Sequence, residues 1–259
     1  MILEERAYIK MKFSKRMDLF GESIFTTLAN MRSERKKQGL EVIDLSIGAP
    51  NIPPTQEVME TIAKEAMKPE NYLYAIKDSV DLQNTVKEWY ERRYGVVIDP
   101  TTELTSLLGS QDGLAHLALT LVDEGDTVLV QDPCYPIFRD GPLLAGAHVV
   151  TMPLLKENDY LIDFDRIDEK TAQDAKYMIV SYPNNPTCGV ANDEFYKKLI
   201  VFAKKYNIMV LHDNAYSELL FEGPGRSFLE FEGAKDVGIE FNSLSKTYGL
   251  AGARIGFAL

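Results

Sequence analysis

The sequence predicts an α/β protein, in which a mostly parallel seven-stranded sheet is sandwiched by helices. From about residue 100 onward, short apolar runs alternate with segments of helical length. The runs are continuously apolar, which is typical of strands buried on both faces. Helical crossovers between such strands produce a mostly parallel sheet that is covered on both sides. The predicted strands are Leu104–Leu108, Val128–Val130, His148–Met152, Met178–Val180, Ile208–Leu211, Val237–Phe241 and Ile255–Leu259.

The first hundred residues show a different pattern. Residues 1 to about 40 are polar and helical in tendency, and Gly39 is a helix stop. Val42–Ile47 predicts a short strand that runs into a loop rich in glycine and proline. Thr55–Met67 predicts a helix capped by its threonine, and Asp81–Tyr94 repeats apolar residues at helical spacing. The expected core residues of this last helix are Leu82, Val86 and Trp89.

Composition and charge narrow the class of protein. The chain has 259 residues, enough for a large core, and a net charge of −11, which argues against a nucleic-acid partner. No run approaches 18 apolar residues, so no membrane span is expected. Cys134 and Cys188 make no disulfide framework, and residues 1–12 contain no signal core. We therefore expect a cytoplasmic protein, and we predict no metal site.

One lysine lies in unusual surroundings. Lys246 stands between two apolar runs, and Arg254 is the only other charged residue between positions 243 and 257. A lysine in a mostly apolar setting has a lowered pKa, so its amine can attack a carbonyl and form a Schiff base. The alternative is a lysine that lays its stem along apolar surface and keeps its charge in water.

Polar residues follow five of the predicted strands, at the edge where ligands of such sheets bind. Ser110 comes after Leu108 at the start of a helix, where it is either an anion-binding residue or a plain N-cap. A rigid turn carries Tyr135, and the segment Ser181–Thr187 is rich in asparagine. Asp213 and Tyr216, three apart, are expected on one side of a first helical turn. The last of these five strands, Val237–Phe241, leads into the segment that contains Lys246 and Arg254.

Together these groups suit one cofactor. They comprise an anion pocket, a flat aromatic ring, a carboxamide, a carboxylate, a phenol, an amine and an arginine. Pyridoxal 5′-phosphate (PLP) has a phosphate, an aromatic ring with a phenolic oxygen and a protonatable nitrogen, and an aldehyde that a lysine can capture. The residues therefore predict a PLP site at the strand ends.

At these residues the chain resembles the class I/II aminotransferases, which are fold-type-I PLP enzymes. The resemblance covers essentially the whole chain. Within the family, the chain is most similar to the branch that contains the LL-diaminopimelate aminotransferases. Its most specific part is the lysine motif. The motif positions that match are Ser243, Ser245, Lys246, Gly249, Gly252, Arg254 and Gly256.

The resemblance implies a role for each residue around the ring. Lys246 would hold the cofactor as a Schiff base and shuttle a proton between the substrate Cα and the cofactor C4′. Asp213 would pair with the pyridine nitrogen, and Tyr135 would stack on the ring. Tyr216 and Asn185 would bind the phenolate oxygen.

The resemblance also implies phosphate and substrate contacts. Tyr74 would reach the phosphate of a neighbouring subunit, which implies a homodimer. Gly48 and Asn185 would line the α-carboxylate of the amino acid. The remaining phosphate ligands would be Ser110, Gln111, Ser243, Ser245 and Arg254.

The same resemblance divides the chain into domains. Residues 1–50 would contribute to a small domain and a dimer contact, and residues 51–259 would form the large PLP-binding domain. The family continues for about a hundred further residues into a C-terminal domain that supplies the arginine for the substrate carboxylate. We therefore expect this chain to be a fragment lacking that arginine, with weakened dimerisation and little transamination.

The leading hypothesis is an aminotransferase that moves an amino group between an amino acid and a 2-oxo acid. A β-eliminating C–S lyase remains open because elimination shares the same Cα carbanion, and a decarboxylase is a more distant variant. A non-catalytic PLP-binding regulatory module and a truncated pseudoenzyme also remain open.

Three positions depart from the family pattern. Ser79 and Cys188 stand where the family has glycine, and Ser23 stands where a substrate-region tyrosine is expected. We interpret Cys188 as a small buried residue of its loop. Cys134 is expected to pack rather than react.

Overall fold

The computed structural model, which describes residues 12–46, 48 and 50–259, divides the chain into two units. The first unit ends at Gly48, and the second runs from residue 49 to Leu259. The assignment of residues 1–50 to a small domain and a dimer contact stays a prediction.

The first unit contains helix α1 (Ile24–Lys37). Gly39, with φ +74°, follows its end in the left-handed conformation that terminates helices, as predicted. The strand predicted from Val42 is wrong, because residues 41–46 have no regular structure. Asp44 instead accepts hydrogen bonds from the Ser46 amide (3.0 Å) and hydroxyl (2.6 Å), and pairs with Arg32. Such local side-chain bonds offer the backbone an alternative to strand pairing. Ile47 lies outside the described residues.

The second unit is built on a seven-stranded sheet. Each predicted apolar run forms a strand. Their order across the sheet is β1-β7-β6-β5-β4-β2-β3; β7 is antiparallel to both neighbours, and the other pairs are parallel. The strands are β1 (Thr105–Leu107), β2 (Thr127–Asp132), β3 (His148–Pro153), β4 (Ala175–Ser181), β5 (Met209–Asp213), β6 (Gly238–Ser243) and β7 (Gly256–Ala258).

Helices cover both faces of this sheet. The helices of this unit are α2 (Gln56–Ala66), α3 (Val80–Tyr94), α4 (Ser110–Leu121), α5 (Ile137–Ala145), α6 (Glu169–Asp174), α7 (Asp193–Tyr206) and α8 (Leu244–Thr247). Alternate residues of the central strands enter two apolar clusters, one with α3 and α7 and the other with α4 and α5. Thr55 caps α2 by accepting from the Val58 amide, as predicted.

Burial of the strands differs between the centre and the edges. The central strand β4 is almost entirely buried, whereas the edge strands β1 and β3 are largely exposed or half-buried. Full burial on both faces was therefore predicted wrongly for the two edges, which have a neighbour on one side only. In α3, Val86 is buried, and Leu82 and Trp89 pack against the core while partly exposed. None of the helices in the described residues is long and apolar enough to cross a membrane.

Candidate active site

Lys246 lies in the one-turn helix α8, directly after β6. Ser243 caps this turn, since its Oγ accepts from the Ser245 amide at 3.2 Å. The Lys246 Nζ is 5.9 Å from the centroid of the Tyr216 ring. Burial lowers the pKa of Lys246, the positive charge of Arg254 lowers it further, and Asp213 opposes the shift. The amine has therefore the lowered basicity that its sequence surroundings predicted.

Asp213 is the last residue of β5 and is only 7% exposed. Burial raises the pKa of Asp213 to about 6, opposed by His212, by a hydrogen bond from the Ser110 side chain and by Lys246. Within the described part of the chain, its buried Oδ1 has no hydrogen-bond partner. A buried carboxylate oxygen of this kind is costly unless a donor reaches it. Such an oxygen is suited to a ligand that carries an N–H group.

Tyr216 and Asn185 meet from two different loops. The Asn185 Nδ2 donates to the Tyr216 hydroxyl at 3.4 Å. Burial raises the pKa of Tyr216, Asp213 raises it further, and the Asn185 hydrogen bond opposes. The phenol therefore stays protonated and can donate. Residues 215–218 form a turn, so the predicted first helical turn after Asp213 is wrong.

A buried side-chain network holds the loop that carries Asn185. The Asn184 Oδ1 accepts from the Thr187 amide (3.2 Å) and hydroxyl (2.8 Å). The Gln131 Oε1 accepts from the Asn184 Nδ2 (3.2 Å) and from the Ser181 amide (2.8 Å). Gln131 and Asn184 had no predicted role, yet they tie this loop to the neighbouring strand β2.

The N-terminus of α4 adjoins a positive charge. Gly109, with φ +87°, precedes the helix, and a Cβ there would lie 2.6 Å from the Arg254 Nη2. The Arg254 guanidinium donates to the carbonyls of Leu108 and Ala251, at 3.1 Å each. The free N–H groups of a helix start attract anions, and an adjacent guanidinium adds charge to them. Ser110, the first residue of α4, therefore stands in surroundings that suit a phosphate.

The remaining predicted residues lie in three settings. The Tyr135 hydroxyl donates to the Gln111 Oε1 at 3.1 Å, so the Gln111 side chain contacts the aromatic residue expected to stack on the ring. Tyr74 is 99% exposed and does not pack into this cluster. Gly48 belongs to the first unit, and its predicted contact with a substrate carboxylate stays a prediction.

The departures from the family pattern have local explanations in part. Ser79 caps α3, since its Oγ accepts from the Leu82 amide at 3.2 Å. Cys188 was predicted to be buried, and this is wrong: it is exposed and has φ +60°. Cys134 is half-buried, and burial raises the pKa of its thiol to about 11, which disfavours the reactive thiolate.

Sequence reasoning missed two further buried residues. Glu240 and His212, both fully buried, bond to each other across β5 and β6 at 3.1 Å. Glu240 was treated as part of an apolar run. An acid inside a buried strand is itself a signal, because such residues are almost never fully buried without partners.

Comparison with known proteins identifies the family of the chain. The sequence profile of the family Aminotransferase class I and II matches residues 41–259. The LL-diaminopimelate aminotransferase of Aquifex aeolicus is 43% identical over 96% of this chain, which spans 65% of that relative's length. The apo structure of BacF from Bacillus subtilis has a TM-score of 0.90 at 36% identity. The match covers 96% of this chain and 64% of the BacF chain. An aspartate aminotransferase from Thermus thermophilus with maleate has a TM-score of 0.86 at 26% identity, and the match covers 96% of this chain and 64% of that protein's chain.

The sheet and its helices therefore match the fold of the fold-type-I aminotransferases. The chain belongs to the class I and II aminotransferases, and the proteins of this family are PLP-dependent. The residues at the strand ends fit that cofactor, because the buried Asp213 Oδ1, without a partner among the described residues, suits a protonated ring nitrogen. The helix start beside Arg254 suits its phosphate.

Proposed function

We propose that the chain is the cofactor-binding part of a PLP-dependent aminotransferase that moves an amino group between an amino acid and a 2-oxo acid. One observation carries the proposal. A lysine of lowered pKa lies against the Tyr216 ring, and the neighbouring strand ends in a buried carboxylate with an oxygen that no described residue contacts by a hydrogen bond. An amine and a carboxylate so arranged suit the aldehyde and the ring nitrogen of PLP.

The family resemblance implies which residues would hold the cofactor. Asp213 would bind the ring nitrogen, Asn185 and Tyr216 would bind the phenolic oxygen, and Tyr135 would pack on the ring. When bound, PLP supplies an electron sink for the carbanion at the substrate Cα. The phosphate ligands would be Ser110, Gln111, Ser243, Ser245 and Arg254, and Tyr74 would reach the phosphate of a second subunit.

Lys246 performs two tasks in this proposal. Its amine would hold the cofactor at its aldehyde, and it would also move the proton at the substrate Cα. Both tasks need a neutral amine, and burial lowers the pKa of Lys246 toward that form. Asp213, with a pKa of about 6, is ionised at neutral pH and can hold a protonated ring nitrogen.

The proposal extends to substrates, assembly and location. Because the relatives of about 43% identity are named LL-diaminopimelate aminotransferases, diaminopimelate is the amino donor that we propose to test first.

A homodimer is supported by apolar side chains such as Leu73 and Ile76, which are strongly exposed. Gly48 and Asn185 would line the substrate carboxylate. A cytoplasmic location is supported by the free thiols of Cys134 and Cys188.

Covalent trapping tests the assignment of Lys246. The purified protein is mixed with PLP, reduced with borohydride and measured by intact mass and peptide mapping. We expect one phosphopyridoxyl group, on Lys246, and none in Lys246→Ala. Lys205→Ala, an exposed lysine of α7, is the control and should be labelled like the parent. Equal labelling of Lys246→Ala would refute the assignment.

Amino transfer from diaminopimelate to 2-oxoglutarate tests the reaction. Release of ammonia from a donor would instead support elimination.

A further inference from the structure

Glu240 occupies the middle of β6 and is fully buried. Its two oxygens accept four hydrogen bonds. Oε1 accepts from the hydroxyls of Tyr90 (2.8 Å) and Ser227 (2.7 Å), and Oε2 accepts from the Phe228 amide (2.7 Å) and bonds to the His212 Nδ1 (3.1 Å). Four is the full acceptor capacity of a carboxylate. The fold therefore provides a complete shell for this acid, at a position where an apolar residue would cost less to bury.

The shell of Glu240 fixes the ring of His212. Glu240 bonds to Nδ1, the Tyr196 hydroxyl lies 3.3 Å from Nε2, and the Phe228 ring stacks at 5.7 Å between centroids. His212 is fully buried and pairs with Glu240 in the register of the parallel strands β5 and β6. With both nitrogens and one face engaged, the imidazole has a single position. That position also fixes the backbone of His212.

The next residue along β5 is Asp213, whose side chain points to the other face of the sheet because strand side chains alternate. Asp213 pairs with Phe241 in the same register. Its Oδ1 has no hydrogen-bond partner among the described residues, so no contact of that oxygen itself holds it, and the backbone of β5 contributes to its position. The charges of the pair also reach Asp213: His212 lowers its pKa and Glu240 raises it, while burial is the larger cause.

We propose that Glu240 and His212 form a positioning pair that holds the Asp213 carboxylate toward the ring nitrogen of the bound cofactor. This inference rests on the proposed function. The pair lies on the opposite face of the sheet and does not touch the cofactor. It acts through the backbone of β5.

The test compares PLP with its carbon analogue, in which a C–H group replaces the ring nitrogen. Only PLP offers the nitrogen that Asp213 binds, so the ratio of the two dissociation constants reports on that contact. The parent protein should bind PLP more tightly, and Asp213→Ala should lose this preference. Glu240→Gln, nearly the same shape, should reduce the preference about tenfold, because a mispaired buried hydrogen bond shifts its neighbours. A purely structural defect would weaken both ligands equally and leave the ratio unchanged.

A milder variant keeps the test decisive if Glu240→Gln does not fold, which circular dichroism would show. Tyr196→Phe removes only the hydroxyl at the His212 Nε2 and should reduce the preference about threefold. The matched control is Tyr177→Phe, because the buried Tyr177 hydroxyl has no partner among the described residues and its loss should leave the ratio unchanged.

Two outcomes would overturn the inference for different reasons. If Asp213→Ala loses the preference while the folded Glu240→Gln and Tyr196→Phe proteins keep it, the positioning pair is refuted and the proposed function stands. If the parent protein shows no preference, or if Asp213→Ala keeps it, the placement of the cofactor itself is refuted.

Discussion

Burial acts on the two central residues of the site in opposite directions. It raises the pKa of the Asp213 carboxyl and lowers the pKa of the Lys246 amine, because a low-dielectric setting disfavours either charge. Each residue also partly stabilises the charge of the other. A ligand that brings a protonated nitrogen to the carboxylate and an aldehyde to the amine relieves both costs. The chemistry proposed for the site thus follows from where two side chains are buried.

At residue scale, Cys188 offers a test of backbone strain. Its φ of +60° is a conformation that costs side-chain-bearing residues about 1–2 kcal/mol. Cys188→Gly should stabilise the protein by about 1 kcal/mol, since glycine removes this cost but loses more entropy on folding. The free energy of unfolding in urea measures the change. Cys188→Ala keeps the Cβ and is the control, expected to be neutral. Equal stability of the glycine and alanine variants would contradict the strain.

At the scale of elements, the site depends on close docking of α4 against the sheet. A Cβ on Gly113 of α4 would lie 2.7 Å from the Leu107 Cδ1 and 2.8 Å from the Phe241 Cε1. The helix therefore contacts β1 and β6 with no room for a methyl group. Ser110, one turn earlier, owes its position at the strand ends to this contact.

Gly113→Ala separates helix propensity from packing. Propensity alone favours alanine inside a helix by about 1 kcal/mol, whereas overpacking costs about 1–3 kcal/mol. We expect a net loss of about 1 kcal/mol in the free energy of unfolding and weaker cofactor binding, measured by urea denaturation and absorbance titration. Gly252→Ala has open space around the added Cβ and is the stability control. A stabilised Gly113→Ala protein would show that α4 is not docked this closely.

At the scale of the whole molecule, the sheet brings distant segments together. The loops after β1, β2, β4, β5 and β6 are far apart in sequence. Yet β2, β4, β5 and β6 run parallel to one another, and β1 points the same way because it and β6 are both antiparallel to β7. Their carboxyl ends therefore lie at one edge. Asp213 at that edge is buried, and Ser110 and Lys246 from two other of these segments affect its pKa. Its ionisation therefore couples the site to the global stability of the fold.

The pH dependence of unfolding measures this coupling. The pKa of Asp213 is about 6 in the folded protein against 3.8 ordinarily, so the unfolded state loses its proton first as the pH rises. Stability is therefore lost as the pH rises toward and through about 6. Relative to Asp213→Asn, the parent without cofactor should lose about 2 kcal/mol between about pH 4.5 and pH 7.5. Urea denaturation of both proteins checks this, and a difference that does not change with pH would contradict it. Added PLP should restore the parent.

Prediction from sequence succeeded where local pattern and physical cause coincide. Seven apolar runs formed seven strands, Thr55 caps the start of α2, and Gly39 follows the end of α1, as their chemistry predicts. It failed where a neighbour decides the outcome. The strand expected from Val42 was displaced by the hydrogen bonds of Asp44, and Cys188 is exposed rather than buried. The exposure of β1 and β3 depends on their edge positions, which no local run reveals.

The sequence by itself determined the α/β class and which polar residues follow which strands, because hydrophobic periodicity and turn chemistry are local properties. Only the tertiary structure decided that the Asp213 Oδ1 is buried without a partner among the described residues and that Lys246 lies against Tyr216. It also revealed the bond between Glu240 and His212. These features depend on the pairing of strands and the docking of helices, which join residues far apart in the chain and set burial, distance and charge.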